Sequence, residues 1–126
     1  MTGERILVVE DNEKNMKLFR DVLVAKGYRT LEATTGTEAV DMASEHTPDL
    51  VLMDIQLPDL DGVQALHRLR ANASTAGIPV LALTAQAMHG DRERFLAAGF
   101  DGYLSKPVDV RELIGTVRDH CDRRAL

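Results

Sequence analysis

Leu50-Val51-Leu52-Met53 is a run of four apolar residues closed by Asp54, with counterparts in Ile6-Leu7-Val8-Val9 and Ile78-Pro79-Val80-Leu81-Ala82-Leu83. A strand with one wet face alternates apolar and polar residues. A near-continuous apolar run implies burial on both faces, as in a parallel sheet covered by helices on each side. Two weaker segments complete the set. Tyr28 to Ala33 alternates, and Tyr103-Leu104 follows a Gly-Phe-Asp-Gly turn, so both are assigned to sheet edges. Pro79 fits only at the beginning of its strand, because it has no N–H to give to a ladder.

Between the strands lie five helical patterns. Met16, Phe19, Val22 and Leu23 form a stripe ended by Gly27. Thr35-Gly-Thr-Glu38 matches a capping box ahead of Ala39, Val40 and Ala43. Asp61-Gly62 opens a third helix with Val63, Leu66 and Leu69 inward, and Phe95 and Ala98 mark a fourth that Gly99 ends as a left-handed cap. Val110, Leu113, Ile114, Val117 and Cys121 follow the i, i+3, i+4, i+7 spacing of a fifth, with Asp109 and Glu112 favouring its start. Ala71 to Gly77, made of small and polar residues, reads as a surface loop. The pattern is (βα)5, and strict alternation implies right-handed crossovers and a doubly wound parallel sheet in the α/β class.

The 126 residues suit one domain over 1–126, large enough to bury a core without staples. Fifteen Lys and Arg against twenty Asp and Glu leave a net charge of −5, which argues against a nucleic-acid or membrane-surface module. Apolar residues at 44% and charged residues at 28% are globular rather than disordered values. A lone Cys121 excludes an internal disulfide and suits a reducing, cytoplasmic setting. No stretch is long enough to span a bilayer, and the N-terminus lacks the apolar run of a signal peptide.

Ligands of open parallel sheets bind beyond the carboxyl ends of the strands. There the sequence places Glu10-Asp11, Asp54, Thr84 and Ser105-Lys106-Pro107, while edge strand two supplies nothing comparable. Three carboxylates drawn together at about 5 Å repel by roughly 3 kcal/mol per pair at an effective dielectric of 20. Either some protonate or a cation sits among them. Hard oxygen donors without His or Cys select Mg²⁺ or Mn²⁺, and an incomplete cage suits a cation that also takes a phosphate oxygen. Lys106 and Thr84 suit phosphoryl oxygens as a point charge and a hydroxyl donor. Asp54, at the end of the central strand, is the candidate phosphoacceptor, since a carboxylate can form an acyl phosphate. Nothing nearby is built to activate water, so the phosphorylated state reads as a signal.

Taken together, Val9-Glu10-Asp11-Asn12, Asp54-Ile-Gln-Leu-Pro58-Asp-Leu-Asp61-Gly62, Leu83-Thr84-Ala85 and Tyr103-Leu-Ser-Lys106-Pro107 resemble the receiver domain of two-component response regulators along essentially the whole chain. The resemblance implies a flavodoxin-like fold with strand order 2-1-3-4-5. It implies metal acids at Glu10 and Asp11, a further metal ligand in the backbone carbonyl of Gln56, and phosphoacceptor chemistry at Asp54. Glu10, where many members carry Asp, is a mild variation. Thr84 and Lys106 would contact the phosphoryl group, Pro107 would follow a cis peptide, and Tyr103 would rotate inward after Thr84. The face of helix four, strand five and helix five would then change shape. Gln56 and Gln86 hold places that tune acyl-phosphate lifetime in the family.

The resemblance further implies a histidine kinase as phosphodonor and phosphatase, and a downstream kinase or adaptor as target. The expected state is a monomer or a weak phosphorylation-dependent dimer. The wording of 9–19, 49–58 and 87–91 is similar to single-domain members concerned with cell division, although receivers fused to hybrid histidine kinases share much of it. With the chain ending just after helix five, the reading expects no effector domain and no turnover enzyme.

Plainer roles stand beside these. Asp11-Asn12 also suits a helix cap, Thr84 a backbone-satisfying hydroxyl, Lys106 a surface charge and Tyr103 edge packing. His46, His67, His89 and His120 show no metal spacing, Met16, Met42, Met53 and Met88 read as packing, Cys121 as buried, and Arg123-Arg124 as a solvated end. The competing functions are an aspartyl-nucleophile phosphatase, a receiver serving only as a phosphorelay intermediate, and a flavin-binding module. The phosphatase would want an acid where Gln56 stands. The flavin module would want a Ser/Thr/Gly-rich phosphate loop where Glu10-Asp11 repels phosphate, and ring stackers in a chain with 4% aromatics and no Trp.

Overall fold

The three apolar runs form the inside of a five-stranded sheet. The computed structural model describes residues 3–85 and 91–125, the side chains of residues 91, 92 and 122–125 excepted. The elements run β1 (Arg5–Val9), α1 (Glu13–Ala25), β2 (Arg29–Ala33), α2 (Gly36–His46), β3 (Leu50–Asp54), α3 (Gly62–Ala71), β4 (Val80–Thr84), α4 (Asp91–Ala98), β5 (Gly102–Ser105) and α5 (Val110–Ala125). All pairings are parallel, in the order β2-β1-β3-β4-β5. The doubly wound, flavodoxin-like sheet expected from the sequence is therefore present, with β2 and β5 at its edges.

The period-2 geometry of a strand divides the core in two. Leu7, Val9, Val51, Met53, Val80 and Ala82 pack on one face with Ala39, Ala43, Ala65, Leu66, Leu69 and Phe95 of α2, α3 and α4. Ile6, Val8, Leu50, Leu52, Leu81 and Leu83 pack on the other with Phe19, Leu23, Leu113, Val117 and Cys121 of α1 and α5. Every second residue of an inner strand thus meets a different helix layer, which is why those strands carry no polar alternation. Leu52 is fully buried in the central strand. Leu52→Ala is expected to lower unfolding stability by about 3 kcal/mol, the usual cost of an unfilled Leu cavity, read from urea denaturation midpoints.

Local signals act as the sequence indicates, with some adjustments. Asn12 caps α1 by accepting from Asn15 N–H, and Asp61 caps α3 by accepting from Gln64 N–H. Thr35 accepts from Glu38 N–H at 3.0 Å, while the Glu38 carboxylate reaches back one residue further than a capping box requires, to Thr34 N–H. Gly27 and Gly99 take positive φ after α1 and α4. Strand β4 starts at Val80 rather than Ile78, because Pro79 can only accept; its carbonyl takes Val51 N–H at 3.0 Å. The segment after α3 is less superficial than its composition suggests. Thr75 is wholly buried and satisfies its hydroxyl by donating to the Leu69 carbonyl. Val110 opens α5 but stays 40% exposed, so the buried stripe begins at Leu113.

Candidate functional site

The order β2-β1-β3 means that the chain reverses its winding between β1 and β3, and the carboxyl ends of these strands lie side by side at the switch point. Val9 is in register with Met53, so the next residues, Glu10 and Asp54, emerge as neighbours. Asp54 is in register with Leu83, which sets Thr84 one step beyond, and Thr84 pairs with Ser105, immediately before Lys106. Strand register alone therefore gathers residues separated by almost the whole chain.

One carboxylate oxygen from each of Glu10, Asp11 and Asp54 lies within 4.8 Å of the others. Glu10 and Asp54 are buried at 1% and 4% exposure, and Asp11 is exposed. The Lys106 ammonium bridges the buried pair, 2.7 Å from Glu10 Oε1 and 2.9 Å from Asp54 Oδ2. The second contact is a hydrogen bond. The first is the shorter of the two ion pairs, made to an oxygen that is wholly buried. Asp54 Oδ1 accepts from Gln56 N–H at 3.0 Å, and Glu10 Oε2 accepts from Asn12 N–H at 3.2 Å. Lys106 N–H donates to the Thr84 carbonyl at 2.7 Å, and the Lys106–Pro107 peptide is cis. Thr84 is buried beside them at 3% exposure.

Burial pushes the Glu10 carboxyl above the usual carboxylate value, Lys106 pulls it part of the way back, and the Asp54 charge raises it again. Burial disfavours the Lys106 ammonium, but its contacts with Glu10 and Asp54 more than offset this and hold it above the ordinary lysine value. Three carboxylates facing one ammonium leave two uncompensated negative charges. The donor set therefore fits a hard divalent cation in charge and oxygen chemistry.

Asn12 does the capping of α1. Asp11 is thereby left to the acid cluster. Tyr103 is half-buried, its ring 6.2 Å from that of Phe95 on α4, which places it between the sheet edge and that helix. His46, His67 and His120 lie on α2, α3 and α5, and none joins the acid cluster. Met16 and Met53 are buried, Met42 packs against the core, and Cys121 is buried. Gln86, Met88, His89 and the side chains of Arg123 and Arg124 lie outside the described residues. No described helix is long and apolar enough to cross a membrane.

Two features went unread in the sequence. Lys106 spans Glu10 and Asp54 rather than reaching only toward a phosphate. Asp59, in the loop between Asp54 and α3, accepts from the N–H groups of Gly36 and Thr37 at the start of α2. Its readable signal was an acid in a loop beside a Gly-led helix, but nothing local says which helix it meets.

A family model for the response regulator receiver domain matches residues 6–118. The polar-differentiation response regulator DivK of Brucella ovis is 48% identical over 115 residues, 91% of this chain and 94% of that protein. Among solved structures, one similar fold is the receiver domain of a sensor histidine kinase from Pseudomonas aeruginosa PAO1, with a magnesium ion coordinated in its active site cleft. It superposes with a TM-score of 0.88 at 39% identity, over 96% of this chain and 99% of that one. The receiver domain of the Francisella response regulator 1452 superposes with a TM-score of 0.90 at 29% identity, over 96% and 98% of the two chains.

Proposed function

Because this chain belongs to the response regulator receiver domain family, we propose that it is a signalling module that takes a phosphoryl group from a histidine kinase onto Asp54 and conveys the change by protein contact. The observation that carries this reading is the cluster of Glu10, Asp11 and Asp54 bridged by Lys106. Similarity to relatives named polar-differentiation response regulators supports a place in cell-division signalling; a cytoplasmic setting and a kinase or adaptor as target complete the proposal. The chain acts as a switch and not as a turnover enzyme.

In the transfer, an Asp54 oxygen forms a bond to phosphorus as the nitrogen–phosphorus bond of the phosphohistidine breaks, and the departing imidazole takes up a proton. The product is an acyl phosphate. Such a step asks mainly for positioning and charge neutralisation. Glu10, Asp11, Asp54 and the Gln56 carbonyl would hold magnesium, which when bound would neutralise phosphoryl oxygens; manganese suits the same donors. The chain's own groups do the rest. Lys106, which balances Glu10 and Asp54, turns its ammonium to a phosphoryl oxygen. Thr84 donates its hydroxyl to another, and Tyr103, beside Phe95, moves into the space this vacates, reshaping the α4-β5-α5 face. Neither Gln56 nor Thr84 is basic enough to take a proton from water, which supports reading the acyl phosphate as a signal.

The test is phosphotransfer from the histidine kinases of the source cell, each loaded with labelled phosphate, to the wild type and to Lys106→Ala. Label is expected to move onto the wild type and stay. Immediate release as inorganic phosphate would favour the phosphatase reading, and transfer from none of the kinases would overturn the proposal. Lys106→Ala is expected to be labelled yet to show at most a small part of the phosphorylation-dependent amide shifts across the α4-β5-α5 face. Full-sized shifts would make Lys106 dispensable for the switch.

A further inference from the structure

The loop of residues 55–61 carries Gln56, whose N–H is bonded to Asp54 and whose carbonyl is assigned to the cation above. Its two ends are held by the sheet and by α3. Ile55 N–H donates to the Leu83 carbonyl at 3.0 Å, and Gly62 N–H donates to the Ile55 carbonyl at 2.9 Å. Its middle is tied to a different element. Asp59 Oδ1 accepts from Gly36 N–H at 2.7 Å and from its neighbour Leu60 N–H at 2.7 Å, while Oδ2 accepts from Thr37 N–H at 3.0 Å and from the Thr37 hydroxyl.

The first turn of a helix has N–H groups without intrahelical partners and a partial positive charge that favours a carboxylate. Thr35 satisfies Glu38 N–H, and Asp59 takes the two N–H groups before it. Packing points the same way. Leu60 sits so close to Gly36 that an added Cβ there would stand 2.7 Å from Leu60 Cβ and 3.2 Å from its carbonyl oxygen. The loop and α2 thus meet through a polar latch and a contact that only glycine permits.

We infer that Asp59 is a positioning residue: by latching the 55–61 loop to the first turn of α2 it holds the Gln56 backbone beside the acid cluster. The inference rests on the function proposed above. Asp59 is not a member of the acid cluster and acts through Gln56, as outer partners of metal ligands do elsewhere. Hydrogen bonds from the Thr37 hydroxyl and from the N–H groups of Gly36, Thr37 and Leu60, working against some burial, hold the Asp59 carboxyl well below the usual carboxylate range. The latch therefore stays ionised at neutral pH.

Two measurements test it, magnesium binding by calorimetry and hydrogen exchange of the Gln56 amide in metal-free protein. Asp59→Ala is expected to raise the magnesium Kd about tenfold and to speed exchange at Gln56. Asp59→Asn, which keeps one acceptor oxygen, is expected to do less. Gly36→Ala, which pushes Leu60 away from the other side, is expected to move both readouts in the same direction. A lower melting temperature with both readouts unchanged would make Asp59 merely structural and overturn the inference. If Asp59→Ala does not fold, Asp59→Asn and Thr37→Val decide by the same criteria. Magnesium uptake by the wild type with an unchanged constant in the variants defeats the inference alone. No uptake by the wild type defeats the functional reading and the inference together.

Discussion

Asp54→Asn is expected to reduce labelling by acetyl phosphate below detection, a loss of about three orders of magnitude or more, the scale on which removal of a nucleophile acts. The substitution keeps the size and planarity of the side chain and an oxygen able to accept Gln56 N–H. What it removes is the negative charge and the second oxygen, which now faces Lys106 at 2.9 Å. A neutral amide is a poor nucleophile, so the loss is one of chemistry and not of fold. Far-UV circular dichroism and a thermal melt check this, and neither is expected to deteriorate, because one of three crowded negative charges has gone. Labelling is read by intact-protein mass. Undiminished labelling would remove Asp54 as the acceptor and turn attention to Asp11, the exposed member of the cluster.

Chelation is expected to have an effect of similar size with the sequence left intact. In excess EDTA, labelling of the wild type should stop while the circular dichroism spectrum is retained, since the core is built from apolar layers that do not include the acid cluster. Lys106 already compensates part of the cluster's charge, which lets the metal-free fold persist. It does not compensate all of it, and an incoming phosphoryl group brings more negative charge to the same place. Restoring magnesium should restore labelling. It should also stabilise the fold by about 2.7 kcal/mol at a hundred times Kd, because the ion binds the folded chain and not the unfolded one. Labelling at an undiminished rate in EDTA would refute the charge argument. A melting temperature indifferent to magnesium would do the same.

How far the sequence could be read depended on the range of each interaction. Leu50 to Met53 and Ile6 to Val9 declare a buried parallel sheet because both faces of each strand meet a helix layer, and that requirement is written into every residue of the run. The caps at Asn12, Thr35 and Asp61 are equally legible, since each acts on an N–H three residues ahead. Ile78 looked like strand and Thr75 like surface for one reason. Both are buried, and composition does not show which polar or apolar residues of a short connection the packed chain will cover.

At the site, the types of residue were readable and their connections were not. Glu10, Asp54, Thr84 and Lys106 could be assigned to strand ends, and the chemistry of hard oxygens and an ammonium follows from their identities. That Lys106 leans on Glu10 as closely as on Asp54, and that Asp59 reaches the start of α2, follows from register and helix placement.

By itself, then, the amino-acid order determined the alternation of strands and helices, the two-sided burial of the sheet and the set of groups available for phosphoryl chemistry. These depend on periodicity and on contacts a few residues apart. Only the tertiary structure decided which of those groups touch, because residues 10, 54, 84 and 106 become neighbours through the stacking of four strands, and 36 and 59 through the seating of a helix on a loop. Such distances are set by the whole packed sheet, and no local stretch of chain encodes them.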